Sequence, residues 1–404
     1  MKKFFLSLGD NISTAYVWIN GGSNLDKNNK KGINQILCSL LTRGCKSLDN
    51  FEISNILDFN GAEINYEASH DGIYIGIKSL TEYFNNIYPL LNKFIDESNI
   101  SEKEFLKSKN NQINYLIKLK ENLFIKTYDN WSKIVYRNHP YSNDSNGYID
   151  TIMNINYNDI IEEYDNFKKR DKYLLTNHQM NNLVDLKSKV SKQKDLIIKN
   201  KNSLKRFSNK RFIEYNLSTN QIIMMIGNQT CPQNNKDYLS LKLLESYLSF
   251  GMSSLLFKKF REKNGLTYDV GVINPVRIEN APFLIYITVS CKHAKLAFKL
   301  LIDIWRDIFT NSIPKTELDL AKTKLKNSIL NSSQSIEDII LRKVQLIGYK
   351  MDYNFDIKSL REIELINSEE VCKVANKYFK KPYLSILGDS KICNEINNLW
   401  KDNF

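Results

Sequence analysis

Two places in the chain carry side chains whose type and spacing could do chemistry. The first is Phe257-Lys-Lys-Phe-Arg261-Glu-Lys-Asn-Gly-Leu-Thr-Tyr268, which brings a permanent guanidinium and a phenol within one short stretch. Both groups donate hydrogen bonds, and two donors meeting round a corner can hold a single carbonyl oxygen. Taken alone, the pair reads better as Arg261 bonded to Glu262 or solvent and Tyr268 packed on a sheet. The second place is a helix over 32–43, where Gln35, Cys38 and Ser39 lie opposite an apolar stripe of Ile33, Ile36, Leu37, Leu40 and Leu41. A helix that only faced a core would not need to specify those three. Other chemistry is sparse. The six cysteines (Cys38, Cys45, Cys231, Cys291, Cys372, Cys393) show no Cys-x-x-Cys spacing, which fits reduced thiols and neither a disulfide framework nor a zinc ribbon. No two of the four histidines (His70, His139, His178, His293) can share one helical face, which excludes a local two-histidine metal site.

The elements that would position these residues follow from periodicity. A helix over 237–250 buries Tyr238, Leu241, Leu244, Tyr247 and Leu248 on one stripe. Gly251 and Ser253-Ser254 break it, and a second short helix carries Leu256, Phe257 and Phe260 inward with Arg261 near its end. Gly265 can take the positive φ that closes a helix, after which Tyr268, Val270, Val272 and Asn274 alternate as a strand. In the first part, strands over 3–8 and 13–20 end in Gly21-Gly22 and lead into the helix over 32–43, which Gly44 stops. Ser47 or Asp49 then caps a helix running through Asp58. Strands over 62–69 and 72–79 turn at His70-Asp71, and helices over 81–97 and 102–120 follow. Residues 122–170 are helical and polar around a loop at 140–144, and a last strand covers 173–176.

The pattern restarts at Phe212. Strand 72–79 has its counterpart in 283–290, Asn99-Ile-Ser-Glu in Ser312-Ile-Pro-Lys, Lys109 in Lys322, and Tyr173-Leu-Leu-Thr in Tyr383-Leu-Ser-Ile, all at an offset near 210. We therefore expect an α+β protein of two homologous units, each a mainly antiparallel sheet packed with helices. The spans are 1–186 for the first unit, 187–211 for a linker, and 212–404 for the second. A chain of 404 residues with 42% apolar and 25% charged residues suits two globular domains. The formal net charge is +12, but the linker alone holds ten Lys/Arg against Asp195. This is the pattern of a solvated connector, and no nucleic-acid partner is expected. No apolar run is long enough for a membrane span. The apolar start stops at Asp10-Asn11, too short for a secretory signal, so a cytoplasmic location is expected.

With Gly251-Met-Ser-Ser-Leu-Leu-Phe257 followed by Arg261-Glu-Lys-Asn-Gly-Leu-Thr-Tyr268 in the second copy, the duplicated chain resembles the pitrilysin/insulinase family of zinc peptidases. Within it, the chain looks most like the half-length members related to mitochondrial processing peptidase. The resemblance implies an inverted zinc motif, H-x-x-E-H, on the helix after the Gly-Gly strand. Its two histidines fall on Gln35 and Ser39 and its glutamate on Cys38, and the third ligand falls near Asn114 or Tyr115. None of these is kept, so no metal and no cofactor are expected in this chain. Arg261 and Tyr268 match the family's clamp on the substrate carbonyl. The resemblance therefore implies a non-catalytic subunit, inactive alone. It would hold an extended peptide and supply Arg261 and Tyr268 in trans to a homologous partner that carries the zinc. The alternatives are a homodimer, or a peptide-binding or structural scaffold with no peptidase role.

Overall fold

The computed structural model describes the chain except Asp10, Asn181, residues 187–210 and Tyr268. The basic linker therefore lies almost wholly outside the described residues. In the first half the strands are β1 (Lys2–Phe5), β2 (Ile12–Asn20), β3 (Glu63–Ala68), β4 (Gly72–Leu80), β5 (Lys172–Thr176) and β6 (Val184–Asp185). The helices there are α1 (Ile33–Leu41), α2 (Asn50–Phe59), α3 (Phe84–Asp96), α4 (Glu102–Lys120), α5 (Leu123–Val135), α6 (Ile149–Met153) and α7 (Tyr157–Lys169). The second half supplies β7 (Phe212–Asn216), β8 (Gln221–Gln229), β9 (Asp269–Ile273), β10 (Pro282–Ser290) and β11 (Tyr383–Gly388). Its helices are α8 (Tyr238–Ser249), α9 (Ala294–Thr310), α10 (Lys315–Asn331), α11 (Ile336–Gly348), α12 (Phe355–Leu365), α13 (Ser368–Phe379) and α14 (Ser390–Lys401).

The duplication is plain in the topology. One sheet has the order β3-β4-β2-β5-β1-β6 and the other β9-β10-β8-β11-β7, so the second repeats the first without its outermost short strand. In each, the central strand runs antiparallel to both neighbours: β2 against β4 and β5, β8 against β10 and β11. The parallel pairs β1/β5 and β7/β11 lie at one side. Lys109 and Lys322, expected in register, make equivalent bonds. Lys109 donates to the carbonyls of Met153 (2.8 Å) and Ile155 (2.7 Å), and Lys322 to that of Glu364 (2.8 Å).

The compact units differ from the expected spans by an exchange of segments: residues 120–142 join the second unit and residues 331–355 the first. The alternation within the central strands explains why. Along β2, Ala15, Val17 and Ile19 enter the core shared with α1, α3 and α7. Tyr16 and Trp18 point the other way and are equally buried, so the second face also needs a cover. That cover is α11, which packs on β2 and β5. At Gly348 a Cβ would lie 2.0 Å from the Trp18 indole, so only glycine lets helix and ring approach so closely. In the second unit the matching helix α5 covers β8 and β11. There Trp131 Nε1 donates to the Tyr383 carbonyl (3.2 Å), Ser385 Oγ to that of Thr127 (3.0 Å) and Gln229 Nε2 to that of Val135 (2.6 Å). Helices α5 and α11 occupy the same place in the repeat, and each serves the sheet of the other half. No helix among the described residues is long and apolar enough to cross a membrane.

Candidate functional site

Helix α1 is held by a polar frame at its N-terminus. Gly32 caps it with φ +92°, and a Cβ there would meet Asn146 O at 2.7 Å. The Asp26 carboxylate accepts from Gly32 N–H and Asn34 Nδ2, both at 2.6 Å, and Lys31 Nζ donates to the Asp26 carbonyl at 2.6 Å. Arg170 donates to Asn34 Oδ1 (2.9 Å) and the Gly21 carbonyl (2.8 Å), and it forms an ion pair with Glu163. Burial pushes the Asp26 carboxyl up to about 6, against the bonds from Asn34 and Gly32 and the Lys31 charge, which pull it down. Burial likewise raises Glu163, despite Arg170.

The apolar stripe of α1 is buried as expected, and the helix packs on β3 and α7. Of the opposite face, Cys38 is only 1% exposed. Burial, with the Glu67 carboxylate as a second cause, drives its thiol far above the ordinary cysteine range. Glu67 stands on β3 opposite Tyr74, whose hydroxyl donates to it at 3.1 Å. Ser39 Oγ donates to the Ile36 carbonyl at 2.8 Å, inside its own helix. The Oε1 of Gln35 is buried without a hydrogen-bond partner among the described residues. Asn114 and Tyr115, near which the third ligand was expected, are exposed on α4.

These donors do not fit zinc. A catalytic zinc site needs three protein ligands among His, Cys and carboxylates, with a fourth position open for water. Here the amide and the hydroxyl are weak donors, and the thiol is sealed and kept protonated. Among the described residues no group of three or more His, Cys, Asp or Glu side chains is placed to hold a metal ion. The same burial argues against Cys38 as a nucleophile, since reactive thiols have lowered pKa values and access to solvent.

In the second unit the expected short helix is a single wide turn, Phe257–Glu262, closed by a bond from Lys263 N–H to the Lys258 carbonyl five residues back. Leu256 and Phe260 are fully buried and anchor it. Leu266 N–H returns to the Phe260 carbonyl (2.8 Å) and Gly265 N–H to that of Arg261 (3.1 Å), with Gly265 at φ +58°. The part of the expected corner that runs from Arg261 to Leu266 is therefore present. Arg261 emerges on its exposed side with its guanidinium 4.9 Å from the Phe257 ring centroid. Tyr268 lies outside the described residues. The Asp26–Asn34–Arg170–Glu163 frame escaped the sequence reading because its members are spread over 145 positions and no local spacing links them.

Comparison with known proteins agrees with this architecture. Residues 7–146 match the sequence model of the insulinase family (peptidase family M16), and residues 179–325 match that of the peptidase M16 inactive domain. An uncharacterized zinc protease of Rickettsia felis is 23% identical over 372 residues, covering 89% of this chain and 87% of the relative. The uncharacterized zinc protease YmxG of Bacillus subtilis is 22% identical over 374 residues, covering 91% and 90%. Two crystal structures, a peptidase M16 inactive domain from Pseudomonas fluorescens and a protease from Helicobacter pylori, superpose with TM-scores of 0.81 at 18% identity. They cover 96% and 95% of this chain, and 95% of each solved chain. With one family model on each half and the duplicated sheet order behind them, this chain belongs to the insulinase family of peptidases, family M16.

Proposed function

We propose that the chain is the non-catalytic member of a heterodimeric peptidase, holding an extended peptide and lending Arg261 and Tyr268 to a homologous subunit that binds the zinc. The observation that carries this reading is a contrast. At the motif positions of α1, Cys38 and the Gln35 oxygen are closed off inside the first unit, whereas Arg261 stands exposed on a well-anchored turn. Two donors aimed at a carbonyl oxygen stabilise the charge that develops as the peptide bond is attacked. A family member without ligands can therefore still contribute to the reaction of a partner that has them. The test is reconstitution with a family homologue carrying intact H-x-x-E-H. Activity is expected only in the mixture and should fall about 10²–10³-fold with Arg261→Ala. Undiminished activity with that variant, or stoichiometric zinc on this chain alone, refutes the proposal. Contact of the Arg261 guanidinium with Phe257 supports a second reading, a peptide-binding scaffold with no peptidase role. Its mark would be peptide binding without activity in any pairing.

A further inference from the structure

Around Arg261 the chain concentrates more positive charge than a carbonyl clamp requires. The wide turn and the residue after it carry Lys258, Lys259, Arg261 and Lys263 against the single acid Glu262. A fifth cation arrives from another element: Lys324 on α10 donates its Nζ to the Phe250 carbonyl (2.8 Å), at the entrance to the same segment. Lys258 N–H bonds to the Ser254 carbonyl, so the Phe250–Ser254 turn fastens both lysines to one corner. Neighbouring lysines are paired: Lys242 with Glu245 (2.8 Å) on α8, and Lys326 of α10 with Glu364. Among the described residues Lys258, Lys259, Lys263 and Lys324 have no carboxylate partner. Asp269, which opens β9, is turned to the Tyr286 hydroxyl. Burial first, and then the Lys258 ammonium, hold the Lys324 ammonium below the usual lysine range. Like charges in excess of their counter-charges destabilise a free surface and create a positive potential that attracts anions.

We infer that this basic turn selects peptides with acidic side chains next to the carbonyl that Arg261 holds, an inference that rests on the peptide-holding role proposed above. An extended peptide places alternate side chains on one side about 7 Å apart. Two acidic residues flanking the held carbonyl can therefore reach the ammonium groups on either side of Arg261. Each exposed ammonium–carboxylate pair raises affinity by up to about fivefold. The expected preference over a neutral peptide is about tenfold at low ionic strength, and most of it disappears in about 0.5 M salt.

The experiment titrates the full chain with three fluorescent ten-residue peptides that share their apolar positions and carry acidic, neutral or basic residues between them. The acidic peptide should bind about tenfold tighter than the neutral one. With Lys258→Glu/Lys259→Glu the order should reverse in favour of the basic peptide. With Lys258→Gln/Lys259→Gln, which guards against a misfolded charge-reversal variant, the acidic preference should shrink without reversing. Equal binding of all three peptides overturns the charge selectivity and leaves peptide holding intact. Binding of none of them removes the peptide-holding role and this inference with it. A mixed-sequence oligonucleotide that binds more tightly than the acidic peptide also overturns it, in favour of a general polyanion surface.

Discussion

Besides its packing on β2 and β5, the exchanged helix α11 is tied to the first unit by one carboxylate. Glu337, in its first turn, accepts from Tyr16 Oη, from Asn65 Nδ2 (2.6 Å) and from Lys78 Nζ (3.0 Å). Tyr16 is 1% exposed, and its ring lies over Gly76 on β4. In Glu337→Ala the Tyr16 hydroxyl loses its acceptor inside the protein, at a cost of about 1–3 kcal/mol. Asn65 loses its short bond as well. Lys78 retains Glu63 (2.8 Å), so its share is below about 1 kcal/mol. Together these give about 3 kcal/mol for Glu337→Ala. For Glu337→Gln, whose amide oxygen still accepts from Tyr16 and Asn65, we expect about 1 kcal/mol. The assay is hydrogen exchange followed on peptides covering β2, which reports the first unit alone, beside denaturant unfolding. A Tyr16→Phe cycle should return a coupling of about 1–2 kcal/mol. The pH dependence adds a sign. Burial pushes the Glu337 carboxyl up, but the bonds from Tyr16, Lys78 and Asn65 and the Lys78 charge outweigh it and hold the carboxyl below the usual glutamate range. The stabilisation is therefore complete above the ordinary value of 4.5 and lost as pH falls through the lower native value. Wild-type protection of β2 in Glu337→Ala would refute this account of how α11 is held.

Four further outcomes follow from helix α1 with its frame and from the turn at Gly265. Asp26 titrates at about 6 in place of 3.8, so the native state binds its proton more tightly than the unfolded chain does. Stability should fall by up to about 3 kcal/mol as pH rises from about 4 to 6, and Asp26→Asn should flatten that slope in urea titrations; an unchanged slope refutes it. Cys38 should resist thiol reagents in the native protein and react only on unfolding, at a rate set by the opening of the first unit; prompt native labelling would contradict its burial. Gly32→Ala combines φ +92° with a Cβ 2.5 Å from Ile152 Cδ1 and should cost at least about 2 kcal/mol in denaturant unfolding. Gly265→Ala, at φ +58° with nothing within 4 Å of the added carbon, should cost only about 1 kcal/mol.

What could be read from the sequence was local. The α1 stripe, a cap at Ser47 or Asp49 (the structure uses Asp49), the turn at His70-Asp71 and the positive φ at Gly265 each come from spacings of a few residues, and all are in the fold. The repeat was legible because both copies keep their strand order. The exchange of α5 and α11 was not, since an amphipathic helix declares that it has an apolar face and not which sheet that face covers. A trace of it lay in β2, where Tyr16 and Trp18 alternate with Ala15, Val17 and Ile19, so that both faces are large and apolar. A strand written that way needs two covers, and the first half alone supplies helices for one. The site divided in the same manner. Gln35, Cys38 and Ser39 were found by motif spacing, whereas Glu67 beside Cys38 depends on the placement of β3.

The frame of α1 also accounts for how this helix is held without help from the side chains at the expected ligand positions. In a structural zinc site the metal supplies folding free energy, and replacing its ligands unfolds the domain. Here the orientation of α1 is set from its N-terminal end by Asp26, Asn34, Arg170 and Glu163, and from its flank by the apolar stripe. None of those groups stands at a position where the family resemblance places a ligand. Gln35, Cys38 and Ser39 are therefore free to follow packing: Cys38 fills a closed space under β3, and Ser39 turns its hydroxyl back onto the helix. Reintroducing His, Glu and His at these three positions would put ionisable groups where the frame provides no counter-charge, Glu67 excepted. The third ligand, expected near Asn114 or Tyr115, would still have no matching side chain there. Such a triple variant should lose stability and bind zinc weakly, which zinc titration and thermal unfolding can read side by side; tight zinc binding with unchanged stability would mean that the helix keeps room for the metal that its present side chains conceal.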